Sequence, residues 1–143
     1  MSTPTHLKHK PIVSVDDYQN YDGSYGHTGD AESLSIGIAQ YDSSEISAKV
    51  FRYSKSAKKW CRESEELPLH RLIDLTTTLL KSILLSAGKK YPKTQFEVQR
   101  IPDADLGEII DYYKDKNNKS VLLPKLKDLQ KTLNDFMIQE PTL

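Results

Sequence analysis

Cysteine is almost absent from this sequence: Cys61 is the only one among 143 residues. A lone thiol excludes an intramolecular disulfide framework and a cysteine-rich zinc site, and it suits a reducing compartment. Long hydrophobic runs are missing too. The most apolar stretch, Leu67 to Leu85, is interrupted by His70, Arg71, Asp74 and Lys81, so it does not span a membrane. No N-terminal apolar run of the signal-peptide kind is present. There is no P-loop, no dinucleotide-binding fingerprint and no Gly-x-Ser-x-Gly elbow. Together these absences predict a soluble cytoplasmic protein with no membrane partner, no cofactor and no metal.

Net charge is also lacking, with 20 Lys and Arg against 20 Asp and Glu. The balance hides a pattern. Residues 1–50 carry −4, residues 51–100 carry +6 and residues 101–143 carry −2. The neutral total therefore does not exclude an anionic partner for the middle third.

What is present suffices for one core. A length of 143 residues with 37% hydrophobic side chains fits a single domain, 1–143, whose polar residues 1–10 are expected to be flexible. Pro11 to Val15 reads as a short strand, and Asp16 to Asp30 as a loop rich in Asp, Asn, Gly, Ser and Tyr. Leu34, Ile36 and Ile38 alternate with Ser35, Gly37 and Ala39, and Ile46, Ala48 and Val50 alternate with Ser47, Lys49 and Phe51. With turn chemistry at Asp42 to Glu45, this predicts a β-hairpin of 33–41 with 45–53. The small residues on its second face suggest close packing or a covered surface. Lys55 to Lys59 reads as a basic turn leading out of the sheet.

The strongest helix signal covers 68–87, with Pro68 in the first turn and Gly88 just past the end. Its apolar positions, including Leu69, Leu72, Ile73, Leu80, Ile83 and Leu84, fill about half the circumference, so it is expected to be the central packing element. Phe96 and Val98 suggest a weak strand. Asp103 or Asp105 could cap a helix that ends at Asn117-Asn118, and a last amphipathic helix starts near Pro124. Strands come mainly first and helices later. The expected class is α+β, an antiparallel sheet built on the 33–53 hairpin and packed against the 68–87 helix and two C-terminal helices.

Few residues carry chemistry. If Glu66, His70 and Asp74 are all helical, their spacing of four puts two carboxylates and an imidazole on one side, a candidate general acid–base set for a small hydrolase, with His27 or Asp30 in support. The simpler account is a capped, salt-bridged helix start in which Arg71 pairs with Asp74. Cys61 beside Arg62 reads as a structural residue rather than a nucleophile. His27 and Asp30, in Gly26-His27-Thr28-Gly29-Asp30, read as turn formers. Arg52, Lys55, Lys58, Lys59 and Arg62, interleaved with Phe51, Tyr53 and Trp60, could grip phosphates and stack bases. No nucleic-acid motif accompanies them, and a solvated hairpin edge accounts for them better. The favoured reading is a non-enzymatic binding or interaction module, a possible homodimer. Its ligand candidates are Trp60, Arg62, Arg71, His27 and Asp30, near the start of the long helix.

Pro4 to Pro11, Leu34 to Gln40, Ile46 to Val50 and Trp60 to Leu75 together resemble an uncharacterised family of small bacterial proteins, a domain of unknown function. The run Ser64-Glu65-Glu66-Leu67-Pro68-Leu69-His70-Arg71 is the most distinctive part. The resemblance covers roughly residues 4–85. It implies a bacterial cytoplasmic setting, and it transfers no activity and no catalytic residue.

Overall fold

The alternating stretches of the sequence become one antiparallel sheet. The computed structural model describes residues 1–143. Strands β1 (Lys10–Val15), β2 (Ala31–Ile38) and β3 (Ile46–Ser54) lie side by side. Beyond β3, its far edge is shared by β4 (Lys59–Trp60) and β5 (Glu66–Pro68). Three helices follow: α1 (Leu69–Ser86), α2 (Gly107–Lys114) and α3 (Lys116–Gln139). This is the expected α+β class. The chain divides into two compact units, Met1–Thr76 and Thr77–Leu143.

In the first unit, pairing register assigns every side chain to a face. Leu34 lies opposite Val50, Ile36 opposite Ala48 and Ile38 opposite Ile46. Val13 and Val15 of β1 join that face opposite Ile36 and Leu34. Ser33, Ser35 and Gly37 lie opposite Phe51, Lys49 and Ser47 on the other face, and β5 adds Glu66 opposite Lys49. The small-residue face is the covered one: Ser33, Ser35, Ser47, Lys49 and Phe51 are all buried. The apolar face instead borders an open cleft of about 330 Å³ lined by Val13, Val15, Leu34, Ile36, Val50, Leu67 and Leu72.

The cover is the N-terminal segment. Pro4, Leu7 and His9, within the residues expected to be flexible, are buried. The α-amino group bonds Asp17 at 2.9 Å, and the Thr3 hydroxyl bonds Asp16 and Ser33. Gly37 makes this approach possible. A Cβ there would stand 2.1 Å from the Lys10 carbonyl oxygen and 2.8 Å from Pro11 Cα, beside the bulge between Pro11 and Val13. Phe51 is fully buried and meets His9 and Trp60 edge-on, with centroids 5.5 and 6.1 Å apart.

Several boundaries differ from expectation, each for a local reason. Pro68 closes β5 rather than opening α1, because Glu66, Leu67 and Pro68 pair with Lys49, Ala48 and Ser47. The Lys55–Lys59 turn leads back into the sheet, since Lys58 adopts a left-handed φ of 54° and β4 returns along Tyr53 and Ser54. Asn117 and Asn118 begin α3 instead of ending α2, because the Asp115 carboxylate accepts from both of their N–H groups at 2.9 and 3.2 Å. Pro124 therefore lies inside α3. Phe96 and Val98 form no strand. The Phe96 carbonyl instead accepts from Lys81 Nζ at 2.9 Å, and that ammonium lies 5.3 and 5.6 Å from the Phe96 and Tyr91 ring centres.

Nor is α1 the packing centre that its stripe suggested. Lys81 is its only fully buried residue, while Leu69, Leu72, Ile73, Leu75, Leu79 and Leu80 are exposed. Its C-terminus ends as expected, with Gly88 at φ +67° and the Lys89 N–H on the Leu84 carbonyl at 2.9 Å.

The Gly37→Ala substitution tests how the N-terminal cover is held. Its Cβ cannot fit beside Lys10 without moving β1, so we expect a loss of about 1–3 kcal/mol in urea unfolding. Limited proteolysis within residues 1–15 should accelerate as well. A variant as protease-resistant as the parent would show that β1 does not depend on this close approach.

Candidate functional site

The covered face concentrates polar groups where a core would normally be apolar. His9 is 0% exposed and sits between three strands. Its Nδ1 lies 2.7 Å from Glu66 Oε1, and its Nε2 lies 3.0 Å from Ser35 Oγ. A carboxylate accepts hydrogen bonds, so Nδ1 carries the proton and Ser35 donates to Nε2. The Ser47 hydroxyl donates to Glu66 Oε1 at 3.0 Å, and the Gln40 N–H reaches the same oxygen at 3.4 Å. Glu66 Oε2 is buried with no hydrogen-bond partner.

Burial lowers the His9 pKa, and the hydrogen bond and charge of Glu66 oppose that shift without cancelling it. Lys49, 3% exposed, is likewise lowered by burial, with Glu66 the main opposing charge.

Beside this network lies a second cleft of about 300 Å³. His6, Leu7 and Lys8 of the cover, Gln40 after β2, Lys49 of β3, and Arg62 and Glu63 after β4 line it. Lys49 Nζ makes one hydrogen bond, to the Ser64 carbonyl at 3.3 Å, and lies 5.8 Å from the Phe51 ring centre, so two of its three donors have no hydrogen-bond acceptor. Lys8 and Arg62 take part in none of the ion pairs. The wall thus presents three cations and an imidazole against one carboxylate.

The residues singled out in the sequence are distributed as follows. Arg62 lines the cleft. Trp60 stands next to it in β4, half-buried and edge-on to Phe51 and to Tyr53 at 5.2 Å. Glu66 belongs to β5, so it does not share a helix face with His70 and Asp74; its histidine partner is His9. His70, Arg71 and Asp74 are exposed on the first turns of α1. His27 is exposed at a left-handed φ of 68°. Asp30 pairs with Arg52 at 2.5 Å, and Arg52 also bonds both oxygens of Glu65, at 2.7 and 2.6 Å. That fork holds the Glu65 pKa below the usual carboxylate value. Cys61 is exposed and free. No group of three or more His, Cys, Asp or Glu side chains is arranged to hold a metal ion.

The model of a family of unknown function, DUF6530, matches residues 1–105. The chain belongs to this family. No curated protein and no solved structure matches it. The DUF6530 match covers the whole sheet, the His9–Glu66 network, the cationic cleft and α1, and it stops before α2. It extends past the 4–85 stretch whose sequence carried the resemblance.

Reading the sequence missed His9, Ser35, Ser47 and Lys49. A usable signal existed: Ser33-x-Ser35-x-Gly37 and Ser47-x-Lys49 place small and polar residues on the same face of the hairpin. What it lacked was the third layer, because nothing local says that His9 folds over that face.

His9 makes stability depend on pH, with a definite sign. Its folded pKa lies below the ordinary 6.5, so the unfolded chain takes up a proton that the folded chain resists. Its contribution is complete above 6.5 and is lost as pH falls through the folded value. Urea midpoints at about pH 7.5 and 5.5, on either side of the histidine range, should drop more for the parent than for His9→Gln. Equal drops would remove His9 as the source.

Proposed function

We propose that this chain is a non-enzymatic binding module that takes a small oxyanion, a phosphate or carboxylate group, in the cleft formed by His6, Lys8, Gln40, Lys49 and Arg62. The observation that carries this reading is Lys49. Its ammonium is buried, held by one long hydrogen bond, and faces a cleft flanked by two further unpaired cations. An anion there would supply the missing acceptors and offset the desolvation of Lys49. Trp60, adjacent to Arg62, provides an optical reporter. A bacterial cytoplasmic setting belongs to the same proposal: the family resemblance implies it, and the exposed free thiol of Cys61 suits a reducing compartment.

A nucleic-acid grip through 52–62 is less well supported. Arg52 is spent on Asp30 and Glu65, and Trp60 is packed against Phe51 and Tyr53. A hydrolytic reading has one observation in its favour: Ser35, His9 and Glu66 are linked in the order hydroxyl, imidazole, carboxylate. Against it, Ser35 is 4% exposed, and the cleft it lines is the apolar one, not the cationic one. The network therefore serves better as the support on which the cleft is built.

Inorganic phosphate tests the binding reading. In low-salt buffer it should raise Tm in a saturable manner and change Trp60 emission. Arg62→Ala, an exposed substitution that spares the core, should weaken apparent affinity about tenfold, near 1.4 kcal/mol. Lys49→Met should abolish saturation. A stabilisation that neither variant alters would be a general salt effect and would sink the reading. Separately, a fluorophosphonate probe should leave Ser35 unmodified; labelling at Ser35 would favour the hydrolase.

A further inference from the structure

The cationic cleft is not uniformly positive. Glu63 lines it together with Lys8, Lys49 and Arg62. The Glu63 carboxylate forms no ion pair, although those three cations border the same space. The two signs of charge therefore stand apart within the cleft instead of neutralising each other.

Chain geometry holds them there. Trp60 pairs with Tyr53 in β4, and Glu66 pairs with Lys49 in β5. Arg62 and Glu63 lie between these two pairings, so a short loop anchored at both ends presents a cation and an anion in succession. The Lys49 ammonium, on a residue only 3% exposed, bonds the Ser64 carbonyl at 3.3 Å, one residue beyond Glu63. The buried cation and the free carboxylate thus belong to the same corner of the cleft.

Charge and size decide what such a cleft accepts. At about 300 Å³ it matches the smaller sites for organic ligands, and a bare oxyanion leaves most of it empty. Three cations and an imidazole suit a phosphate monoester, which carries nearly two negative charges, better than a single carboxylate. Glu63 repels that same phosphate unless the ligand brings a positive group to meet it. An ammonium joined to the phosphate by a short carbon chain satisfies both ends. It gives Glu63 a charge-assisted partner, whereas an ester without the amine leaves Glu63 facing only the anion.

Resting on the anion site described above, we propose that its ligand is a small aminoalkyl phosphate, with the phosphate on Lys8, Lys49 and Arg62 and the ammonium on Glu63. The cations supply affinity, and Glu63 is the specificity-determining residue. The ligand is a free monoester rather than a lipid headgroup, because a second ester bond leaves the phosphate with one negative charge.

Isothermal titration calorimetry in low-salt buffer at about pH 7.5, above the second phosphate pKa, tests this with inorganic phosphate, ethyl phosphate and phosphoethanolamine. The last two differ by the amine. Phosphoethanolamine should bind about threefold more tightly than ethyl phosphate, the scale of an exposed ion pair. Glu63→Gln should erase that preference without weakening ethyl phosphate. Glu45→Gln removes an exposed carboxylate outside the cleft and should keep the preference. Circular dichroism should show both variants folded. Phosphatidylethanolamine vesicles should not co-sediment the protein. Equal affinity of the parent for the two esters, a preference that survives Glu63→Gln or vanishes in Glu45→Gln, or vesicle binding would each overturn this inference and leave the anion site standing. Failure of inorganic phosphate to bind would remove the anion site itself, and this inference with it.

Discussion

The hydrogen bond between His9 and Glu66 joins residues 57 positions apart in sequence, and the first unit is organised around it. His9 belongs to the N-terminal cover and Glu66 to the last short strand, so one bond fastens both to the face formed by β2 and β3. Ser35 and Ser47 complete the partners of the imidazole and of one carboxylate oxygen. Removing either main partner would leave the other buried and unmatched, a loss of about 1–3 kcal/mol for a neutral imidazole and more for a carboxylate. The chain can seat its N-terminus in only one register if all these groups are to be satisfied.

The cationic cleft follows from the same arrangement. His6 and Lys8 reach it because His9 is anchored, and Arg62 reaches it because β4 and β5 hold both ends of the intervening loop. Lys49 forms its floor because pairing register puts it on the covered face beside Glu66. A buried ammonium is costly unless negative charge or acceptors surround it. Here Glu66 supplies part of that compensation, and the open side of the cleft is where an anionic ligand would supply more. The middle third of the chain carries +6, yet Arg52 is neutralised by Asp30 and Glu65. The positive charge left at the cleft comes from specific residues, two of them outside the segment whose composition is most basic.

The element types were readable from local patterns. The 33–53 hairpin followed from strict alternation and the Asp42–Glu45 turn, where the Asp42 carboxylate accepts from the Ser44 N–H at 2.9 Å. The long helix followed from its 3- and 4-residue spacing and from Gly88. Short strands were less readable. Both β4 and β5 are set by pairing with β3, and three residues such as Glu66–Pro68 have no period of their own. The same sequence read in isolation makes a plausible helix start, and that reading placed Glu66 beside His70.

By itself, the sequence determined the α+β class, the apolar and small-residue faces of the hairpin, and the extent of α1 to within a residue at each end. Those properties depend on near neighbours, through side-chain alternation, helical periodicity and capping. Only the tertiary structure decided which face of the sheet is covered, which histidine meets Glu66, and which cations share a cleft. Each of these depends on contacts across 15 to 57 residues. Such contacts are selected by the satisfaction of buried polar groups in three dimensions, and a one-dimensional pattern carries no record of that.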